Sequence, residues 1–319
     1  MTGPSNAKRF GIIVAVIALV LIVGGAGAYF ARNPEKLTLD DATRAGAPGK
    51  FVRLSDGVTH YDVAGPDSGR TVVLVHGFSV PYYIWDSTAA ALSGAGYRVV
   101  RYDEYGRGLS DRPDVPYSDD LYDRQISELL DSLHVADRVD LAGVSMGGLV
   151  TGVFADRHPK RVRSLILVDP VAGTTGGSQG MFGWPVIGPY LWQTLAVPTM
   201  ADGQASDFVE PSRFPDWTDR YREQMRYRGF GRALLSHRSL RLGMSMDTVY
   251  QRVGAASIPV LLLWGAEDKT VPIERSESVR KAIPGAEFHK IEGVGHLPII
   301  EKAHETDSLI LAFLARQPH

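Results

Sequence analysis

Residues 139–158 read VDLAGVSMGGLVTGVFADRH. The opening run, VDLAG, is the kind of short apolar segment that a buried strand needs. From Met146 onward the stretch reads as a helix. Between them lies Gly143-Val144-Ser145-Met146-Gly147, a G-x-S-x-G pattern. A strand that turns into a helix this sharply forces its central residue into a strained backbone. It also needs small neighbours, which Gly143, Gly147 and Gly148 supply. The result is a Ser145 hydroxyl held above the sheet at a helix N-terminus, where the dipole favours developing negative charge. The same letters also describe a glycine-rich turn with a structural serine. The strand before and the helix after favour a nucleophile.

Outward from this turn, short β-rich runs alternate with helix-length segments, the signature of a parallel sheet with crossover helices. Strands are expected at 58–63 on an edge and at 71–75 (TVVLV), 97–102, 138–142, 162–168, 258–264 and 286–291. Helices are expected near 86–93, at 121–133 and 146–157, and around 309–314. Between Pro170 and about Gln251 the rhythm stops, and Gly, Pro, Trp, Tyr and Arg accumulate around pieces such as 219–227. Because it lies between two strands of one sheet, this segment reads as an inserted cap over 171–250, with core at 51–170 and 251–319.

A serine hydroxyl is a weak nucleophile, so it needs a base, and the base needs orienting. His296, in EGVGHLP after the last expected strand, is the candidate base. Asp268, directly after the 258–264 run, is the candidate partner of its imidazole; Asp169 and Glu267 are the alternatives. His76-Gly77-Phe78 follows the buried run TVVLV. Gly77 permits a turn that aims the Phe78 N–H at the site, with the Met146 N–H as second donor to an oxyanion.

In combination these residues resemble the α/β-hydrolase superfamily, over about 50–170 and 251–316. Asp103-Glu104-Tyr105-Gly106-Arg107-Gly108-Leu109-Ser110 resembles that family's D-x-x-G-x-G-x-S loop, where the aspartate is structural. The resemblance implies an α/β-hydrolase fold: a mostly parallel eight-stranded sheet, helices on both faces and an inserted, mainly helical cap. It is similar above all to bacterial carboxylesterases and monoacylglycerol-lipase-like enzymes. Dehalogenases and epoxide hydrolases of this fold carry an aspartate nucleophile where this chain has Ser145. Carbon–carbon bond hydrolases tend to carry Asn before the serine and Trp after the histidine, where Val144 and Leu297 stand here. The expected function is hydrolysis of carboxylic esters with an apolar acyl group. Carbon–carbon cleavage or acyl transfer on the same residues is the alternative, and neither metal nor organic cofactor is expected. Tyr82, Trp85, Trp184, Trp192 and Leu297 are the candidate substrate contacts.

Residues 10–31 hold no charge, and 22 residues make roughly 33 Å of helix, enough to cross a bilayer. They read as a signal anchor within 1–32, or as a signal peptide cleaved after Ala28 in the Ala26-Gly27-Ala28 motif. Two basic residues precede the run (Lys8, Arg9) and three follow (Arg32, Lys36, Arg44), so orientation is weakly specified. A catalytic part outside the cytoplasm is the favoured expectation, and 33–50 reads as a polar linker. A net charge of −2 over 319 residues gives no basic field for nucleic acid. The absence of cysteine excludes disulfides and thiolate chemistry. Nine arginines against four acids over 211–252 suggest a cap face that could meet anionic lipid.

Overall fold

The expected apolar runs become the strands of one sheet. In the computed structural model, which describes residues 6–174 and 178–318, the strands are β1 Lys50–Leu54, β2 Gly57–Ala64, β3 Thr71–Val75, β4 Arg98–Tyr102, β5 Val139–Val144, β6 Val162–Val168, β7 Val260–Gly265 and β8 Glu287–Ile291. Their order across the sheet is β1-β2-β4-β3-β5-β6-β7-β8. The pairings β1–β2 and β2–β4 are antiparallel, and every other pairing is parallel. The mostly parallel eight-stranded sheet is therefore as expected. Seven of the eight strands fall on expected runs; β1 does not, because a half-exposed edge strand carries no continuous apolar run.

The long helices are α1 Asn6–Arg32, α2 Asp86–Gly94, α3 Asp119–Ser132, α4 Met146–Arg157, α5 Trp217–Met225, α6 Phe230–Arg241, α7 Asp247–Ala255, α8 Ser276–Ala282 and α9 Ala303–Ala315. Strand side chains alternate between two buried layers. Val73, Val75, Leu141, Leu165 and Leu262 face one layer with α3, α4, α7 and α8. Val72, Leu74, Ala142, Ile166 and Leu261 face the other with α2 and α9. Continuous burial of β3, β5 and β7 explains why those runs are apolar throughout.

The insertion between β6 and β7 reaches over the C-terminal ends of the strands. Gln224 of α5 donates to the Ser79 carbonyl at 2.7 Å and accepts from the Gly108 N–H at 3.0 Å. The Asp207 carbonyl accepts from the His296 N–H at 2.8 Å. Six of the nine arginines of 211–252 form ion pairs with carboxylates, so most of the local positive excess is neutralised in place.

The stretch 33–50 is not a free linker. Glu35 accepts from the Gly229 and Gly231 N–H groups at 2.6 and 2.7 Å and from Gln193 at 2.8 Å. Leu37 exchanges two backbone hydrogen bonds with Arg226 and Arg228. Farther on, the Pro48 carbonyl meets His60 Nε2 at 2.8 Å, while His60 Nδ1 meets Asp103 at 2.7 Å. Part of its polarity is thus used in bonds to the cap and core, while side chains such as Asp40 and Asp41 stay exposed. Among the described residues, α1 is the one helix long and apolar enough to cross a membrane, and its apolar window is not buried against the rest of the chain.

Candidate active site

Ser145 stands between β5 and α4 at φ 55° and ψ −117°. That is a sparsely populated backbone region for a residue with a side chain. Space explains the glycines around it. A Cβ on Gly143 would run into the Gly147 carbonyl, and one on Gly147 would run into the Val75 carbonyl.

The side chains expected to act with Ser145 come from loops far apart in sequence. Ser145 and His296 line the same cavity of about 290 Å³. His296 Nδ1 lies 2.7 Å from Asp268 Oδ2, and both side chains are buried. The other Asp268 oxygen accepts from the Thr270 and Val271 N–H groups at 2.8 and 2.9 Å, which locks the carboxylate. Burial disfavours the charged imidazole of His296, but the hydrogen bond and charge of Asp268 outweigh it, so its pKa lies above the ordinary value.

The two alternative acids have other partners. Glu267 accepts from the Val294 N–H at 2.9 Å and so braces the loop that carries His296. Asp169, fully buried, accepts from the Gly265 N–H at 2.8 Å. It lies beside Asp268, with its second oxygen otherwise unpartnered. Burial and the neighbouring Asp268 charge push its pKa well up, which favours its protonated form.

The turn after β3 brings Gly77 against Ser145; a Cβ there would sit 3.4 Å from Ser145 Cβ. Among the described residues the Phe78 N–H has no acceptor. Met146 opens α4, so its N–H has no intrahelical acceptor either. Two residues whose motifs stand out in the sequence, but to which it assigns no role, hold this pair of donors. His76 donates through Nδ1 to the Gly77 carbonyl at 2.7 Å and accepts at Nε2 from the Glu104 N–H at 2.9 Å. Burial drives its pKa down to about 4, which keeps it neutral and in that tautomer. Arg107, fully buried, donates to the Phe78 carbonyl at 2.8 Å and to Met146 Sδ at 3.6 Å.

Ser145 also lines a second cavity of about 240 Å³, with Phe78, Met146, Leu149, Val171 and Leu242 as its apolar wall. His237, Arg238 and Arg241 complete it; burial and the Arg107 charge push His237 down to about 3, so it is a neutral imidazole. The first cavity is more polar, with Ser79, Gln204, Ser206, Asp207 and Thr270. Asp207 comes from the cap and had no signal in the sequence.

Of the five expected substrate contacts, Leu297 alone lines either of these cavities. Residues 82–85 form a tight turn that presents Ile84 to the cavity and sends Trp85 into the core. Tyr82 lies under Arg101 and against His60, on a separate cavity. Trp192 donates to the Gly231 carbonyl at 2.8 Å inside the cap, and Trp184 is exposed on the cap surface. Aromatic content did not reveal which face each residue would take.

Comparison with known proteins identifies the fold family. The family described as alpha/beta hydrolase fold matches residues 70–303. A 2-hydroxy-6-oxononadienedioate/2-hydroxy-6-oxononatrienedioate hydrolase from Dechloromonas aromatica is 31% identical over 84% of this chain and 96% of its own length. Lipase 1 of Psychrobacter immobilis is 26% identical over 79% of each chain. The structure of an enol-lactonase from Burkholderia xenovorans, 23% identical, superposes with a TM-score of 0.73 over 84% of this chain and all of that one. The sheet order, the strained Ser145 turn and the family match over residues 70–303 lead to one conclusion: this chain belongs to the alpha/beta hydrolase family.

Proposed function

We propose that the protein is a serine hydrolase of carboxylic esters with an apolar acyl group. The supporting observation is the position of Ser145 on the shared wall of two unlike cavities. The apolar one suits the acyl chain, and the polar one suits a hydroxylated leaving alcohol. Ser145 Oγ attacks the carbonyl carbon while His296 Nε2 takes its proton, and Asp268 stabilises the imidazolium. The N–H groups of Phe78 and Met146 receive the charge that develops on the carbonyl oxygen. His296 returns the proton to the departing alcohol oxygen. Water then attacks the acyl-enzyme by the same steps, releasing the acid and restoring Ser145. In this reading α1 anchors the enzyme to a membrane with the catalytic part outside the cytoplasm.

The test is turnover of p-nitrophenyl esters from acetate to palmitate, and of a monoacylglycerol, by the full chain in detergent and by Ser145→Ala. Loss of several orders of magnitude in the variant supports the reading. Equal inactivity of both on every ester, with Ser145 still labelled by a fluorophosphonate, means the substrate class is wrong.

One observation favours a second reading. Arg238 lines the apolar cavity, where it would meet a carboxylate on the acyl part of a substrate. Relatives named as oxononadienedioate hydrolases act on such acids. There Ser145 or an activated water would add to a ketone, and the bond to the adjacent carbon would break, with the proton delivered to that carbon. Assay of a 2-hydroxy-6-oxodienedioate beside the esters separates the two.

A further inference from the structure

The hydroxyl of Tyr190 donates to the carbonyl of Gly25 at 3.0 Å, and its ring stacks on Tyr29 at 6.3 Å between centroids. Gly25, Ala28 and Tyr29 share the only half-buried face near this end of α1. A tie at Gly25 fixes a depth. Gly25 precedes Arg32, the first charge after the apolar run, by seven residues, or roughly 10 Å of helix. The headgroup layer is about 5–8 Å thick on each side. The contact therefore lies near the hydrocarbon boundary of any bilayer that α1 spans.

The cap around Tyr190 suits that depth. Residues 178–201 carry no charged side chain. Met181, Trp184, Val186, Ile187 and Leu195 are exposed, with Val186 at 89% and Trp184 at 58%. Val186 stands at φ 65°, a backbone region that a β-branched residue avoids. Exposed apolar residues of this size, grouped in one segment, mark an interaction surface. Tryptophan beside aliphatics is the composition of a membrane interface. Lys36 and Arg228 line the groove next to Tyr29 and Phe30, where cations would meet headgroups.

We propose that this edge of the cap, from Met181 to Leu195, is seated in the bilayer beside α1, so that the enzyme is held to the membrane by two elements and not one. The proposal rests on the reading of α1 as a membrane span. Its occupant is the lipid surface itself, chosen over a protein partner because the patch is continuous with α1.

The chain has no cysteine, so single cysteines report cleanly. The full chain, reconstituted in phosphatidylcholine–phosphatidylglycerol vesicles, is spin-labelled separately at Val186→Cys, Ile187→Cys, Ile17→Cys and Val209→Cys. Collision with oxygen exceeding collision with a nickel chelate is expected at 17, 186 and 187, and the reverse at 209. Labels at 186 and 187 that behave like 209 while 17 stays in lipid overturn the proposal. A label at 17 in water overturns the membrane-span reading, and the proposal falls with it. Ester hydrolysis by the unlabelled chain is scored separately and does not depend on either outcome.

Discussion

Arg107 donates through Nε to the carbonyl of Phe78 at 2.8 Å, so one buried guanidinium fixes the peptide next to a proposed oxyanion donor. It touches the other donor residue too, through Met146 Sδ, and is itself held by Tyr122 at 2.6 Å. Arg107→Met should therefore lower kcat by about 10²-fold with a much smaller change in KM, the scale expected when a site group moves by an ångström. Arg107→Lys restores charge without the planar fork and should recover little. Kinetics of both variants, with melting curves to show that they fold, make the check. A kcat within about threefold of wild type in both would remove Arg107 from the site's machinery.

The pH profile follows from His296. A general base works only when unprotonated, so activity should rise with pH through the pKa of His296. Burial lowers that pKa, and Asp268, with a smaller contribution from the Asp207 charge, more than compensates, so the acid limb should lie above the ordinary histidine value. In Asp268→Asn the compensating charge is gone while burial remains. The limb should then move to lower pH as the plateau drops, by up to about 10⁴-fold in kcat. The profile of log kcat/KM against pH for both proteins reads the shift, and an unmoved limb would show that another group sets it.

Asp169 offers an isosteric test. Its protonated form, favoured by burial and by the Asp268 charge, accepts from Gly265 and has a proton to turn toward Asp268. Asparagine offers the same acceptor and the same donor in the same shape. Asp169→Asn should keep kcat within about tenfold, whereas Asp169→Ala should strip Asp268 of a neighbour and leave the Gly265 N–H buried and unpaired, at about 1–3 kcal/mol. Denaturation midpoints and kcat, measured side by side, distinguish the two. If asparagine is as damaging as alanine, the ionised form of Asp169 is the working one.

Glu104 makes stability depend on pH. It is fully buried, neither carboxylate oxygen has a hydrogen-bond partner, and burial together with the Asp103 charge pushes its pKa up to about 8 against Arg107. In the unfolded chain it ionises near 4.5. Between those values the folded state holds a proton that the unfolded state has lost, so stability from this group falls as pH rises. Glu104→Gln should flatten that slope and leave the variant more stable than wild type at pH 8. Urea unfolding at pH 5, 6.5 and 8 measures it. Equal slopes in the two proteins would place the charge elsewhere.

Much of this was legible in the sequence because it is local. TVVLV, a continuous apolar run as a buried strand should be, is the fully buried β3, and residues 146–157 form α4 with the expected limits. The Ser145 turn was legible through its glycines, and His296 and Asp268 through their places after strands. The cavity walls were not. Whether Trp85 or Ile84 faces Ser145 depends on the roll of one short turn, which periodicity does not encode. Asp207 reaches His296 from a run of short irregular helices with neither strand nor helix period. The docking of 33–50 was hidden for a related reason: Glu35 and Asn33 look solvent-loving in isolation, and their partners lie some 160 to 200 residues away.

That docking constrains how the site can be entered. Glu35 and Leu37 rivet the Arg226–Gly231 corner of the cap, and Gln224 rivets its neighbour to the loops after β3 and β4. The rear of the cap is thus a fixed abutment. The same segment also reaches forward, because Asn33 and Glu35 hold Gln193 and Tyr190 ties the cap to α1 itself. The N-terminal helix is thus coupled to both ends of the cap, and a push or tilt on it is passed to the whole roof over Ser145.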